Sequence, residues 1–250
     1  MLYDGTVFLS VIVPVLNEAP LIGEFLGKVR TVVGPESEII VVDGGSSDGT
    51  PSIAETLADR IVTAPRGRAS QMNAGAEIAR ADVLWFLHAD LETPPASLHR
   101  IRSALADPHI VGGCFRLRFP RRELIYRVSD SLGNLGVNVF GFALGDHGIF
   151  CRRAAFHRAG GYPDVPILED AEIYRRLRRE GKMRQLREEI VSDPRAYEVH
   201  GAYRTTAFYF SILALYVLGA PIDSLNQIYR RFRGRGSAPP QTGKLAHATR

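Results

Sequence analysis

Apolar runs of strand length alternate with segments of helical spacing through the first third of the chain, and that alternation leaves few folds open. Residues 9–15 (LSVIVPV), 38–43 (EIIVVD), 60–64 (RIVTA) and 83–87 (VLWFL) are rich in β-branched and aromatic side chains. After the first run, Leu21, Ile22, Phe25, Leu26, Val29 and Val33 recur at the spacing of one helical face, with Asn17 placed to cap and Glu18 in the first turn. Thr50 before Pro51 marks a second helix start, and 69–80 reads as a third helix. Short links between such elements predict an α/β fold, a mainly parallel central sheet with helices on both faces. A nearly continuous apolar run such as EIIVVD fits a strand buried on both sides.

Ligands of sheets like this bind beyond the carboxyl ends of the strands. The segments to read are therefore 14–18 (PVLNE), 43–49 (DGGSSDG) and 88–90 (HAD). After Pro108 the rhythm changes. Residues 111–119 read as a longer strand, a helical stretch runs to about Phe142, and 149–151 is a short strand, so this half is expected to add antiparallel strands. No linker separates the two parts. One domain of two lobes is expected, about 1–107 and 108–233, with a flexible basic tail over 234–250 and C-terminal helices before it.

The formal net charge is +4, from 31 basic and 27 acidic residues. Six basic residues and no acid lie from Arg230 onward, so residues 1–229 hold 25 basic and 27 acidic groups, a net of −2. A body of that balance argues against nucleic-acid binding. Two cysteines, Cys114 and Cys151, and no basic start before an apolar run predict neither a disulfide framework nor a signal peptide, which points to a cytoplasmic setting. Residues 207–220 (AFYFSILALYVLGA) form the longest uncharged apolar stretch, 14 residues. As a helix it would be about 21 Å long, short of the roughly 30 Å bilayer core. It is expected either to close the core or a homodimer interface, or to make peripheral contact with the inner membrane face, helped by the arginines after it.

Several residues carry chemistry. Asp43 ends a strand before two glycines, which brings a carboxylate to the sheet rim where it can accept from a base N–H or ribose hydroxyls; it can equally satisfy its own turn. His88 and Asp90 flank Ala89, and on an extended segment they would point the same way toward one Mg²⁺ or Mn²⁺ bridging a diphosphate. Arg66, Gly67, Arg68, Gln71 and Asn73 enter the third helix as basic and amide donors suited to a diphosphate or sugar hydroxyls. Glu169 and Asp170 begin a helical segment that ends in arginines, a pattern that complements the helix dipole but can also hold a carboxylate ready to take a proton from an alcohol. His147 and His200 are candidates for metal or acceptor contact. The first strand lacks the G-x-G-x-x-G of nicotinamide enzymes and the lysine-bearing loop of triphosphate users.

In order, SVIVPVLNE, EIIVVDGGSSDGT, RASQMNAGAEIA, LWFLHAD, GIFCRRAAFHRAGGYPD and LEDAEIYRRLRREG resemble a family 2 glycosyltransferase with the GT-A fold, from about Leu9 to Gly181. The finer pattern, with HAD, GDHGIF and a C-terminal apolar helix, resembles the bacterial radical-SAM/selenodomain-associated or arsenosugar-biosynthesis subgroup. The resemblance implies a metal-dependent inverting transferase that moves a sugar from a nucleoside-diphosphate sugar, UDP preferred, to a hydroxyl acceptor. It implies that Pro14, Val15, Glu18 and Asp43 line the nucleotide pocket. Gly67, Arg68, Gln71 and Asn73, with His88 and Ala89, would face the diphosphate or sugar. Asp90 would bind Mn²⁺ or Mg²⁺, and His200, from its own sequence context, is the second metal-ligand candidate; His88 stands where the family has the first Asp of D-x-D. Asp170 would be the base, with Glu169 beside it orienting the acceptor. The Q-x-x-R-W motif is absent, which argues against processive synthesis. The alternatives are a nucleotide-sugar-binding or nucleotidyltransferase-like relative, and a transferase acting on a lipid-phosphate acceptor at a membrane surface.

Overall fold

In the computed structural model, which describes residues 7–234, eight strands form one sheet in the order β3-β2-β1-β4-β7-β6-β8-β5. The parallel part is β1 (Leu9–Val15), β2 (Ser37–Asp43), β3 (Arg60–Thr63) and β4 (Val83–Phe86). Its connections are α1 (Ala19–Val33), α2 (Thr50–Ala54) and α3 (Arg68–Ile78). Every residue of β1 and β2 is buried, as expected of strands covered on both faces. Buried Glu38 is tolerated there because its Oε1 accepts from the Ser10 hydroxyl and from the Arg80 N–H, both at 2.6 Å.

β5 (Leu91–Glu92) and α4 (Ser97–Leu105) lead to β6 (Ile110–Arg118), which pairs antiparallel with β7 (Phe150–Arg152) and parallel with β8 (Lys182–Ser192). β8 lies beyond the stretch that carries the family resemblance, and its charged residues mask the alternation of a strand with one solvated face. Gly112 and Gly113 are what lets β6 lie between its neighbours. A Cβ on Gly112 would stand 2.4 Å from the Phe150 carbonyl oxygen, and one on Gly113 2.1 Å from that of Arg184.

The remaining helices are α5 (Leu124–Leu135), which continues into a π-turn at Gly136–Phe140, α6 (Arg153–Arg158), α7 (Glu169–Glu180), α8 (Arg195–His200), α9 (Ala202–Val217) and α10 (Ile222–Gly234). The proposed tail lies outside the described residues except for Gly234, which ends α10.

One cap differs from expectation. Asn17 sits at φ +57° and its side-chain oxygen accepts from the Ser47 N–H rather than from α1. Asp48 and Thr50 fold back over the start of α1 instead, accepting from the N–H groups of Ala19 (3.0 Å) and Glu18 (2.9 Å), and Glu18 becomes the residue before the helix. The turn 43–49 is thereby tied to the end of β1.

Candidate active site

Because β1, β2 and β4 are parallel, their carboxyl ends open on one rim. Asp43, buried at the end of β2, spends its carboxylate on the turn: the N–H groups of Gly45 and Ser46 donate to it at 3.0 to 3.2 Å. This is an Asx-type turn that aims the two following residues across the rim. Pro14 and Val15 are both buried, so their side chains pack inward; it is the Val15 backbone carbonyl that reaches the rim.

Two residues expected at the sugar phosphate are occupied otherwise. The Gln71 amide donates to the carbonyls of Val15 (2.9 Å) and Val42 (2.8 Å) and accepts from the Gly67 N–H at 3.3 Å. It clamps α3 onto β1 and β2. The Asn73 amide donates to the Tyr162 carbonyl and accepts from the Tyr162 N–H, both at 2.9 Å. An amide that has met its partners inside the protein has little left for a ligand, so the donors remaining in this loop are the first-turn N–H groups from Arg68, the half-exposed Arg68 guanidinium and the exposed Arg66.

β4 ends at Phe86, and residues 89–90 form a turn closed by the Leu91 N–H on the His88 carbonyl at 3.2 Å. The extended geometry expected for 88–90 is therefore absent, and the two side chains have different neighbours. His88 Nε2 lies 4.0 Å from Asp170 Oδ2, while the charge of Asp90 acts on Asp146. Burial, then the facing Arg68, push the His88 imidazole down to about 3, so it is neutral near pH 7. Ala89 is buried beneath.

α7 brings the acids to this rim. It begins from Leu168, whose φ of +64° is uncommon for a leucine and directs the first turn toward His88 and Arg68. Glu169 Oε1 stands 3.5 Å from Arg68. Asp170 is buried, and burial followed by the charge of Glu169 pushes its carboxyl up to about 8; Arg68 and the Tyr162 hydroxyl work in the opposite direction. Burial opposes the charge of Arg68, but Glu169 and Asp170 hold its pKa above the usual value.

Gly145 closes the space between these groups. A Cβ there would meet His88 Nε2 at 2.2 Å and Asp170 Oδ2 at 2.6 Å. The next residue, Asp146, went unread in the sequence. Burial and then Asp90 raise its carboxyl to about 6, while Arg68 and a 3.2 Å hydrogen bond from Ser192 oppose the rise. Its signal was the G-D-H-G turn before a short strand. The neighbouring His147 is buried with neither ring nitrogen hydrogen-bonded, and burial pushes it down to about 4.

Among the described residues no group of three or more His, Cys, Asp or Glu side chains could hold a metal ion alone. Asp90 and Asp146 nevertheless suit a cation that takes one or two carboxylates and completes its shell with water and substrate phosphates. His200 lies at the end of α8 with its ring 5.0 Å from that of Phe232.

A mannosyltransferase from Pyrobaculum calidifontis, solved with GDP-Man and Mn²⁺, superposes with a TM-score of 0.65 at 25% identity, covering 95% of this chain and 67% of its own. Glucosyl-3-phosphoglycerate synthase from Mycobacterium tuberculosis, solved with Mn²⁺ and UDP, shares the fold at a TM-score of 0.57 and 19% identity, covering 86% and 81%. An undecaprenyl-phosphate 4-deoxy-4-formamido-L-arabinose transferase of Pseudomonas paraeruginosa is 31% identical over 163 residues, 60% of this chain and 47% of the relative. Its counterpart in Edwardsiella ictaluri is 28% identical over 182 residues, 66% and 56%. The chain thus spans about half the length of the curated relatives it matches. Their names describe lipid-phosphate sugar transferases and lend no support to the narrower radical-SAM or arsenosugar resemblance. The family model described as Glycosyl transferase family 2 matches residues 10–159, and the chain belongs to that family, as a glycosyltransferase with the GT-A type of α/β fold.

Proposed function

We propose that the two lobes act as one inverting transferase unit, taking a sugar from a nucleoside-diphosphate sugar by single displacement. The observation that carries this reading is Asp170, buried at the start of α7 and facing His88 and Arg68 at the strand ends. A carboxyl raised to about 8 is a stronger base than a free one and is still ionised in part near neutral pH. It is placed to take the acceptor proton as the acceptor oxygen attacks the anomeric carbon. Glu169 and Arg68 hold each other at its side, and the neutral His88 adds no further negative charge to a rim that already holds Glu169, Asp146 and Asp90. The half-exposed Arg68 guanidinium, beside Glu169, and the N–H groups of the first turn of α3 face the side where diphosphate oxygens would bind.

Asp90 and Asp146 would hold Mn²⁺ or Mg²⁺, which when bound neutralises charge developing on the departing diphosphate. Structural neighbours solved with Mn²⁺ support that assignment. His200 has an aromatic partner in α10, which makes it the weaker of the two ligands expected from sequence. Donor binding measured by calorimetry for UDP, GDP and their sugars, with and without Mn²⁺, tests the scheme. Metal-dependent binding of one diphosphate, lost in Asp90→Ala and in Asp146→Ala, is expected; binding that ignores the metal in all three proteins sinks it.

A second reading concerns the acceptor. The relatives' names point to a lipid-borne phosphate rather than a hydroxyl. A phosphate monoester is already ionised near pH 7 and attacks without a base. Asp170→Asn separates the two: loss of transfer marks a hydroxyl acceptor, and substantial retained transfer to a polyprenyl phosphate marks the lipid phosphate.

A further inference from the structure

α5 and α9 carry apolar side chains on both sides: Tyr126, Ile212 and Tyr216 are buried in hydrophobic clusters of the fold, and a second set faces outward. Where they meet, the Ser129 and Thr206 hydroxyls lie 2.8 Å apart, both buried. The outward sides are apolar at helical spacing. Leu124, Val128 and Leu135 on α5 are 70%, 40% and 48% exposed, and Tyr203, Phe210 and Leu218 along and just beyond α9 are 75%, 52% and 82% exposed. A helix of a water-soluble lobe keeps its outer side polar. Among the described residues every exposed large hydrophobic side chain except Ile53 belongs to residues 124–228, so the apolar surface is gathered on one part of the molecule.

The charge around it has a sign. Arg127 and Arg204 are exposed on the same two helices, and residues 195–234 hold five arginines against two acids. A second copy of the chain would bring arginine against arginine, whereas an anionic bilayer offers both an apolar interior for the outward side chains and phosphates for the guanidinium groups. No helix among the described residues is long and apolar enough to cross a membrane, and α9, with 16 residues, is about 24 Å long. We propose that the outer face of α5 and α9 is a docking surface for an anionic phospholipid bilayer, with both helices lying in its interface.

The inner side of α9 reaches α7. The Tyr216 hydroxyl donates to Glu172 on α7, and the Arg175 guanidinium stands 5.3 Å from the Tyr216 ring. Docking through α9 therefore holds the helix that begins with Glu169 and Asp170 one layer from the lipid surface, where a lipid-borne acceptor would present its polar end. The docking itself does not depend on sugar transfer and is read with no donor present.

The test is co-sedimentation of the full chain with phosphatidylcholine vesicles, with and without about 30% phosphatidylglycerol, at low and high salt. The wild-type chain is expected to pellet with the anionic vesicles in a salt-sensitive way, and Phe210→Ser/Leu218→Ser to bind at least about tenfold more weakly. Because these side chains are exposed, the melting temperature of the variant reports that the fold is intact. Wild type that stays in the supernatant with both vesicle types overturns the proposal. So does a double variant that pellets like wild type. Wild type that stays off the vesicles but forms a dimer, dissociated by the same substitutions, assigns the face to a second copy and overturns it equally. Docking retained by an Asp170→Asn variant without transfer shows that a failure lies in the chemistry and not in this surface.

Discussion

At the ends of β1 and β2 the polar side chains have found their partners inside the protein, whereas at the start of α7 they crowd against one another. Asp43 is bonded to its own turn, Gln71 bridges two strands, and Asn73 holds both backbone groups of Tyr162. Across the rim, burial and like charge push up the carboxyls of Asp170 and Asp146, and a leucine occupies a left-handed conformation. Satisfied polar groups make scaffold, and groups held at a disadvantage by their surroundings mark where chemistry is expected. Substitutions on the two sides should therefore fail differently, one in stability and the other in turnover.

The largest effect is expected at Asp170. With a hydroxyl acceptor, Asp170→Asn should lower kcat by about 10² to 10⁴-fold with donor binding unchanged, measured by product formation beside calorimetry. In the wild type, kcat/KM should rise with pH until about 8, as the carboxyl loses its proton. Stability should move the other way. A carboxyl raised from 3.8 to about 8 makes the folded state bind more protons than the unfolded chain between those values, so stability falls as pH rises through that window. Asp170→Asn should flatten this slope and raise the melting temperature at pH 8 by several degrees, about 1 to 3 kcal/mol. An unchanged slope would show that the carboxyl is not held this way.

Next comes Gly145→Ala, which sets a methyl group against His88 and Asp170. Since the displaced atoms belong to the reacting rim, turnover should fall by about 100-fold while the melting temperature drops only modestly. Gln71→Ala sharpens the comparison from the scaffold side. It removes the buried amide that bridges the Val15 and Val42 carbonyls, of which Val15 keeps the Gly44 N–H, and should cost about 1 to 3 kcal/mol in denaturant unfolding. Turnover of the protein that remains folded should change less than it does for Gly145→Ala; the reverse ranking would return Gln71 to the ligand.

The same contrast explains what the sequence made legible. β1, β2 and β4 read as continuous apolar runs because they are buried on both faces, and α1 follows from its apolar periodicity. Glu169 and Asp170 were legible as acids opening a helix. β8 was not, because a strand with one wet face reads as a charged segment until its partner β6 is known. Asp146 was not, because its importance lies in meeting Asp90 and Ser192 from distant parts of the chain. The amides of Gln71 and Asn73 were assigned outward since a sequence shows which donors a loop has but not which carbonyls fold within reach.

The smallest expected effect concerns His200 and separates a ligand from a packing residue. Its ring meets Phe232, which stacks on Phe208 with centroids 3.8 Å apart and lies beside the Arg204 guanidinium at 5.2 Å. These contacts join α8, α9 and α10 on the lobe that carries the apolar face. His200→Leu keeps an apolar side chain against Phe232 and removes both ring nitrogens, so a packing role predicts a stability change within about 1 kcal/mol and Mn²⁺ affinity within about twofold of wild type. A ligand role predicts that Mn²⁺ affinity falls by at least about tenfold, as it should in Asp90→Ala. Titration of Mn²⁺ in the presence of UDP, followed by calorimetry on the three proteins, decides between them without any turnover measurement.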